Sequence, residues 1–442
     1  MEKISNAVEK HRELILEAER FIWNHPETGY KEFETSKYLA EKFECLGYKL
    51  TYAEGITGFY TVIDTGREGP EVLILGELDS IICPSHPESN KETGAVHSCG
   101  HNAQCAALLG IAAALTEEGV LDDLCGRIRL CAVPAEELLE IEYRKQLRAE
   151  GKIKYLGGKS EFLSRGYFDG VDMAFMVHTA RGFGTGSDHV GCIAKSIIYK
   201  GKAAHAGGSP HNGINAIYAA SCGLQAANAL RETFREDDLI RFHPIVTRGG
   251  DMVNAIPEIA QIESYVRGKS FEAITRENKK INRALIGAAL SIGANIEIVD
   301  MPGYSPLIND VEMKKVAKDA AKLVDPALEL PTVVPWSTGS TDMGDLCGIM
   351  PVVHPYAAGA TGTSHGNDYY IVDPVAACVK NAKWQIAMLK LLLENGAERA
   401  KKIIADFKPQ FASAKEFLAY QDSLNDEGDR ITYTDGKAEI RL

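Results

Sequence analysis

The sequence predicts an α/β fold into which a smaller α+β domain is inserted. Three apolar runs have the pattern of parallel strands that are buried on both faces, and each ends in side chains suited to chemistry: residues 72–75, 127–133 and 171–177. Between residues 190 and 305 the predicted order changes to β-α-β-β-α-β, which is typical of a ferredoxin-like domain. We therefore predict one discontinuous domain, residues 1–189 with 306–442, and one inserted domain, residues 190–305.

Composition excludes several classes of function. The chain has 442 residues, 45% hydrophobic and 25% charged, which is too long for one ordinary core and typical of a globular protein. A net charge of −13 argues against nucleic acid or an anionic membrane as a partner. We find no long apolar run and no leader-like segment, and the ten cysteines are scattered. We therefore expect a cytoplasmic protein with reduced thiols.

The stretch 96–104, VHSCGHNAQ, is the most informative part of the chain. Cys99 and His101 stand two residues apart, directly before the apolar run 106–115, which predicts a buried helix. Amide groups and the dipole at a helix start favour a thiolate, and both thiolate and imidazole bind zinc-like cations. A C-x-H triplet alone is weak evidence, so the other ligands must come from elsewhere in the chain.

Further candidate ligands follow the three predicted strands. Glu77 and Asp79 follow the first strand, Glu136 and Glu137 the second, and His178 the third. Adjacent carboxylates point to opposite sides of an extended chain, so one can bind a metal while its neighbour contacts water. Each residue alone has a plain alternative, since surface acids and hydrogen-bonded core histidines are common. Their recurrence at three strand ends favours a shared site.

Two glycine-rich loops carry the remaining candidates. His205 lies in the loop 202–211 of the inserted domain, and His365 ends the loop 357–365; both fit a close approach to a ligand, and His205 fits an incidental turn residue equally well. Within the insert we predict strands at 193–199, 242–247, 260–267 and 296–299 and helices at 213–234 and 273–292. Residues 141–160 are charged and are predicted to form an exposed insertion, and the tail 394–442 is predicted to be partly helical.

These motifs together resemble the aminoacylase/carboxypeptidase family of co-catalytic metallopeptidases. The resemblance spans residues 15–395 and is closest to the amidohydrolase branch, which holds auxin-conjugate hydrolases, aminobenzoyl-glutamate hydrolase and an aminoacylase-like dipeptidase group. The phrases that carry it are NHPETGYKEFETS, GELDS, HSCGHNAQ, VPAEE, MVHT, GKAAHAGGSPHNGINA, DMVNAIPE, STDMGD and GTSHGND. It implies an α/β, mixed-sheet metallopeptidase catalytic domain with helices on both faces, plus an inserted α+β ferredoxin-like dimerisation (lid) domain.

The resemblance also implies roles for particular residues. It implies two divalent metal ions per subunit. Zn, Mn, Co and Ni all suit the implied ligands. Glu136 would be the general base, and Asp79 would orient the site. His205 would reach the active site of a neighbouring subunit, which implies a homodimer through residues 190–305. Asn254 and Arg267 would bind substrate. The implied metal ligands are Cys99, His101, Glu137, His178 and His365.

The chain departs from the family pattern at three positions. Glu77 stands where the wider family's peptidases have a histidine ligand, although this branch commonly lacks it. Asn102 and Gln104 stand where many auxin-conjugate-type members have Asp and His, and asparagine at the first position favours the dipeptidase group. The segment 141–160 matches no part of the family pattern.

The sequence therefore predicts a metal-dependent hydrolase of a small amide: an N-acyl amino acid, a dipeptide or an aminobenzoyl-glutamate-like molecule. One alternative is a dimeric, non-catalytic relative that binds a metal or another ligand. A second alternative is a thiol enzyme in which Cys99 is the nucleophile and a histidine is its base. Hydrolysis separates the first alternative from the main prediction, and sensitivity to a chelator separates the second.

Overall fold

The computed structural model describes residues 1–331 and 333–442 of the chain. Its α-helices, in chain order, are α1 (Glu2–Lys10), α2 (Arg12–Trp23), α3 (Phe33–Cys45), α4 (His101–Leu115), α5 (Ile141–Ala149), α6 (Gly158–Ser164), α7 (Ala216–Ala229), α8 (Phe271–Ile292), α9 (Val311–Val324), α10 (Gly344–Cys347), α11 (Asn381–Leu393), α12 (Glu398–Asp406) and α13 (Ala414–Ser423).

The strands include several two-residue pairings around the loops. In chain order they are β1 (Thr51–Tyr52), β2 (Phe59–Asp64), β3 (Glu71–Glu77), β4 (Ile81–Ile82), β5 (Ala95–Val96), β6 (Arg127–Val133), β7 (Met173–Phe175), β8 (His178–Thr179), β9 (Gly191–Lys200), β10 (Arg241–Phe242), β11 (Ile245–Arg248), β12 (Ile259–Gly268), β13 (Asn295–Pro302), β14 (Val352–Val353), β15 (Tyr356–Ala357), β16 (Ala360–Thr361), β17 (Tyr370–Ile371), β18 (Asp426–Asp429), β19 (Ile431–Thr434) and β20 (Lys437–Ile440).

The first sheet is mixed, with strand order β1-β2-β6-β3-β7-β14. Strands β6, β3, β7 and β14 run parallel, and the β1–β2 hairpin pairs antiparallel to β6. Strand β3 is buried on both faces, as its unbroken apolar run predicts. Val72 and Ile74 face a core built on α4, whereas Leu73 and Leu75 face a second core that contains Phe162. The prediction of an α/β domain with helices on both faces is confirmed.

The second sheet is antiparallel, with order β10-β12-β9-β13-β18, and β11 also pairs with β12. Taken along the chain from β9 to β13, its elements have the order and pairing of a ferredoxin-like domain, as predicted. Helices α7 and α8 cover one face, where Tyr199, Ile262 and Leu285 are buried. On β12 the buried and half-exposed residues alternate strictly, because only one face of the strand lies against these helices.

Two segments lie differently from the prediction. Residues 141–160 do not form an exposed insertion: they contain α5, and Arg144 and Lys159 are almost completely buried. A charged composition suggested solvent exposure, but both charged groups have acceptors inside the protein. The tail does contain helices, yet its strand β18 pairs with β13 and extends the second sheet. The predicted domain boundaries therefore stay a prediction, because tail residues lie on both sheets.

Within the described residues, none of the helices combines the length and the apolar character that crossing a bilayer requires.

Candidate metal centre

The carboxyl ends of three parallel strands bring four of the predicted site residues to one edge of the first sheet. Asp79 follows β3, Glu136 and Glu137 follow β6, and His178 follows β7. Asp79 is completely buried, and the two glutamates are each 7% exposed. Their position outside the strand ends is where open α/β sheets bind ligands.

Cys99 and His101 reach the same place from the start of α4. Gly100 precedes this helix in a left-handed conformation, with φ of 92°. A Cβ atom there would lie 2.4 Å from the Tyr369 hydroxyl, so only glycine fits the turn that separates the two ligands. Helix α4 is buried on all sides, because it lies between the first sheet and the outer helices.

Five predicted ligands form two groups that share Cys99. In one group the ligand atoms of Cys99, His101 and His178 lie within 4.8 Å of one another. In the other, those of Cys99, Glu137 and His365 do so as well. The Cys99 sulfur lies 3.4 Å from His178 Nε2, and His365 Nε2 lies 2.9 Å from Glu137 Oε1. One group thus offers two imidazoles, the other offers one imidazole and one carboxylate, and both share the Cys99 sulfur. Such a set of donors suits two neighbouring divalent cations.

The two histidines of the first group are held so that one nitrogen of each faces Cys99. His101 Nδ1 lies 2.9 Å from the backbone oxygen of Asp79, and His178 Nδ1 lies 2.8 Å from that of Thr179. Backbone contacts of this kind orient metal-binding imidazoles. Buried His101 Nε2 lies 3.2 Å from Glu77 Oε2 but makes no hydrogen bond to any residue that the structure describes, so it is available to bind a cation.

Strong electrostatic coupling marks this cluster. Burial and Glu137 oppose ionisation of Cys99, but the imidazoles of His101, His178 and His365 outweigh them and lower its pKa to about 6. Burial also opposes ionisation of Glu137, yet His365 overcomes it and brings the Glu137 pKa down to about 2. The carboxylate in turn raises the pKa of His365 to about 12. Without metal, protonated imidazoles therefore balance the thiolate and the carboxylate.

Asp79 links the two ligand groups. Its Oδ1 lies 3.3 Å from His101 Nδ1, and its Oδ2 accepts a hydrogen bond of 2.7 Å from the backbone amide of Glu137. One carboxylate therefore contacts an imidazole of one group and the backbone beside a ligand of the other; its role in orienting the site stays a prediction.

A buried ammonium group balances the charge of two carboxylates beside the cluster. Lys159, at the start of α6, is completely buried; its Nζ lies 2.5 Å from Glu77 Oε1 and also contacts Asp342. Glu77 Oε2 lies 3.2 Å from His101 Nε2. Burial opposes ionisation of Glu77, but Lys159 and then His101 outweigh it, so the Glu77 pKa falls to about 2. Glu77 therefore remains a carboxylate that faces His101, one of the predicted ligands.

Glu32 is a buried acid that the sequence analysis did not single out. It has no cationic partner among the described residues. It accepts hydrogen bonds from the Thr57 hydroxyl at 2.5 Å and from the Ala135 amide at 2.8 Å. Burial and then the charge of Asp79 raise its pKa to about 8. The amide that it binds belongs to the residue just before Glu136, so Glu32 supports the turn that carries the two glutamates.

A cavity of about 810 Å³ opens in front of the cluster. Glu136, Arg267 and Tyr304 line it together with ligands of both groups, and Arg267 donates a hydrogen bond of 2.8 Å to Ser340. His205 and Asn254 are not among its described lining residues. They lie on adjacent exposed loops of the second sheet, where the Ala206 amide donates to the Asn254 carbonyl.

Sequence reasoning did not single out Lys159, Asp342 or Tyr304. Asp342 lies in the motif STDMGD, which carried the resemblance without an assigned role. Lys159 lies in a segment with many charges, and nothing in its sequence context separates it from a surface lysine. The Gly157-Gly158 pair before it was the available signal: a Cβ on Gly158 would lie 1.7 Å from the Pro134 oxygen, so the backbone must pass close to the strand end.

Comparison with known proteins places these residues in a wider context. The profile of peptidase family M20/M25/M40 matches residues 74–390. The chain is 26% identical over 385 residues to the Xaa-Arg dipeptidase of Mus musculus, with 83% of this chain and 81% of that protein covered. It is 29% identical over 330 residues to thermostable carboxypeptidase 1 of Saccharolobus solfataricus, with 71% and 78% covered.

Solved structures share the fold. One is a dinuclear metal-binding peptidase of family M20 from Bacillus subtilis, with a TM-score of 0.62 and 21% sequence identity. The match covers 87% of this chain and 99% of that one. At this identity the likeness concerns the arrangement of both sheets and their helices.

We predict that Lys159→Met destabilises the metal-free protein by about 3–5 kcal/mol, because it leaves two buried carboxylates without their counter-ion. Adding Asp342→Asn should recover part of this loss, since it removes one uncompensated charge. Chemical unfolding in the presence of a chelator measures both free energies. Lys200→Met, which removes a partly exposed ion pair with Glu297, is the control and should cost less than about 1 kcal/mol. Equal stabilities of Lys159→Met and the wild type would contradict the role of Lys159.

We predict that Glu32→Gln stabilises the protein increasingly between pH 5 and pH 8. The folded state holds this acid protonated up to a pKa of about 8, whereas the unfolded chain ionises near 4.5, so the wild type loses stability over this range. Glutamine has no such proton to lose: its oxygen can accept from the Ala135 amide and its NH2 group can donate to the Thr57 hydroxyl oxygen, so the gain should reach at most about 4 kcal/mol at pH 8. Unfolding free energies at pH 5 and pH 8 test this, and a pH-independent difference would refute it.

Proposed function

The chain belongs to peptidase family M20/M25/M40, and we propose that it is a metal-dependent amidohydrolase of small substrates. Its substrate would be an N-acyl amino acid, a dipeptide or an aminobenzoyl-glutamate-like amide. The observation that carries the proposal is the pair of ligand groups that share Cys99, beside the carboxylate of Glu136 at the wall of one cavity. The names of two relatives, Xaa-Arg dipeptidase and carboxypeptidase, are in line with amide hydrolysis.

The ligands in this proposal are those of the two groups. Cys99, His101 and His178 would hold one divalent cation, and Cys99, Glu137 and His365 the other. Zn, Mn, Co and Ni all accept thiolate, imidazole and carboxylate, so the metal is left open. When bound, the cations would polarise the scissile carbonyl and make water a better nucleophile at neutral pH.

Glu136 would transfer the proton. Its carboxylate lines the cavity, and its Oε2 lies 3.9 Å from His101 Nε2. Burial, followed by the charges of Glu77 and Glu137, raises its pKa above that of an ordinary glutamate. A carboxyl group tuned upwards in this way can take a proton from water and later deliver it to the leaving amine.

The substrate would be held by polar groups around the cavity. Arg267 lies on β12 with its guanidinium 5.0 Å from the ring centre of Tyr265 and bonded to Ser340. These contacts preorganise the Arg267 guanidinium, which can form a bidentate ion pair with a carboxylate of the substrate. Asn254 would contribute a further contact.

We also propose that the active unit is a homodimer formed through residues 190–305. His205 Nδ1 accepts hydrogen bonds from the Gly207 and Gly208 amides at 3.1 and 2.9 Å. Its Nε2 atom therefore remains free of partners among the described residues, on an exposed loop outside the chain's own cavity. Met252 and Val253, beside Asn254, are also exposed, with 65% and 103% relative accessibility. A second copy that covers this apolar surface would bring His205 and Asn254 into its partner's cavity.

A cytoplasmic location stays part of the proposal. All ten cysteines are free thiols, which is typical of proteins in a reducing compartment.

We predict that the reconstituted protein binds about two divalent ions per chain and hydrolyses at least one of these small amides. The panel would hold N-acyl amino acids, β-alanyl and other dipeptides, and aminobenzoyl-glutamate. Glu136→Gln should lower kcat by at least about 100-fold, because it removes the proton acceptor, while the metal content stays unchanged. Elemental analysis measures the metal, and liquid chromatography of the products measures turnover.

The same assay separates the alternatives. Two bound metals without turnover on any substrate would favour a non-catalytic binding protein. Turnover that survives a chelator but not thiol alkylation would favour Cys99 as a nucleophile. Full activity of Glu136→Gln on a hydrolysed substrate would refute the assigned base.

We predict that two inactive variants restore activity when they are mixed. His205→Ala and Glu136→Gln each disable every site of their own homodimer, but a mixed dimer has one site with an intact Glu136 and an intact partner His205. Random exchange of subunits should therefore return about a quarter of the wild-type activity, as symmetry requires. The measurement is turnover after unfolding and refolding the mixture, with each variant alone as the control. No recovery would contradict the shared site.

A further inference from the structure

Three successive backbone carbonyls beside the proposed metal centre are held by side chains from three other parts of the fold. The Tyr304 hydroxyl donates to the Glu136 oxygen, Arg144 Nη2 donates to the Glu137 oxygen, and the Tyr265 hydroxyl donates to the Leu138 oxygen. The segment 136–138, which carries the proposed base and a proposed ligand, is therefore contacted residue by residue.

The donors come from the second sheet and from helix α5. Tyr265 lies on β12 in the second sheet, and Tyr304 follows the end of β13 in the same sheet. Arg144 lies on α5 and also donates to the Leu156 oxygen at 2.6 Å. Leu138 packs in one small core with Val299 and Met301 of β13, so apolar contacts reinforce the polar ones.

Segment 136–138 needs external support because regular structure has ended before it. Strand β6 ends at Val133, and Ala135 has a φ of 57°, a left-handed conformation that costs energy for any residue other than glycine. The segment has no sheet partner among the described residues. Without the three donors, the carbonyls of Glu136 and Leu138 would be buried with no partner among the described residues, and that of Glu137 would keep only the Leu139 amide at 2.8 Å.

We infer that Tyr304, Arg144 and Tyr265 are positioning residues, which set where Glu136 and Glu137 lie relative to the other ligands. The inference rests on the proposed function of Glu136 and deepens it. Two of the three donors belong to or adjoin the second sheet, so a displacement of that sheet moves the proposed base. The position of the inserted domain therefore controls the geometry of the proton transfer.

The alternative is that these bonds only stabilise the fold, and two tyrosine variants separate the two roles. Tyr304→Phe removes the hydroxyl that holds Glu136. Tyr199→Phe is the matched control: Tyr199 is also fully buried, and its hydroxyl donates to the backbone oxygen of Leu285 at 3.2 Å in the helix-covered core of the second sheet. Tyr265→Phe, one carbonyl further along, provides a second test variant.

Hydrogen exchange of the metal-loaded protein gives a readout that does not depend on turnover. In Tyr304→Phe we expect peptides that cover residues 135–140 to exchange about tenfold faster than in the wild type. In Tyr199→Phe the same peptides should exchange at the wild-type rate. Unchanged exchange of these peptides in both Tyr304→Phe and Tyr265→Phe would overturn the inference.

Kinetics of the same proteins give the second readout. We expect Tyr304→Phe to lower kcat by about 10–100-fold with KM within about twofold of the wild type, because the substrate contacts remain while the base shifts. Tyr199→Phe should keep the wild-type kcat. Faster exchange in Tyr304→Phe with an unchanged kcat would also overturn the inference. A wild-type protein without turnover would refute the proposed function, and hydrogen exchange would still decide whether the tyrosine holds the segment.

Discussion

The rest of the site depends on the buried ion pairs of the Lys159 ammonium group with Glu77 and Asp342. Carboxylates of Glu77, Glu136, Glu137 and Asp342 crowd one buried region, and such charges are costly unless they are paired. Lys159 pairs with Glu77 and Asp342, the imidazoles compensate Glu137 and the Cys99 thiolate in the absence of metal, and burial raises the pKa of Glu136. A divalent cation that binds here must displace those imidazole protons. The buried anionic charge, which protons balance only until a cation binds, is therefore the source of the metal affinity.

Much of the fold could be predicted because its periodicities are simple. The buried strand β6 and the alternating strand β12 follow from their apolar patterns, and the order of elements from β9 to β13 identified the ferredoxin-like insert. The five predicted ligands could be proposed because the motifs resemble those of the family, and the ends of parallel strands supported only Glu137 and His178; the structure brings all five together. Residues 242–247 were predicted as one strand, but they form parts of β10 and β11.

The supporting residues could not be predicted, because their roles come from tertiary contacts that the neighbouring sequence does not indicate. Arg144 and Lys159 look like surface charges in a charged segment, and only tertiary contacts reveal that each is buried with several acceptors. Tyr304 has no neighbour in sequence that indicates a contact with residue 136. A sequence therefore indicates which groups can do chemistry more readily than which groups hold them in place.

The pairing of β18 with β13 also has a consequence for biosynthesis. Strand β13 is complete at residue 302, but its partner β18 begins only at residue 426. On a translating ribosome, the edge of the nascent inserted domain stays unpaired for on the order of ten seconds at ordinary elongation rates. During this interval the exposed edge can pair with other chains, so chaperones and the speed of synthesis have a direct bearing on the yield of native protein.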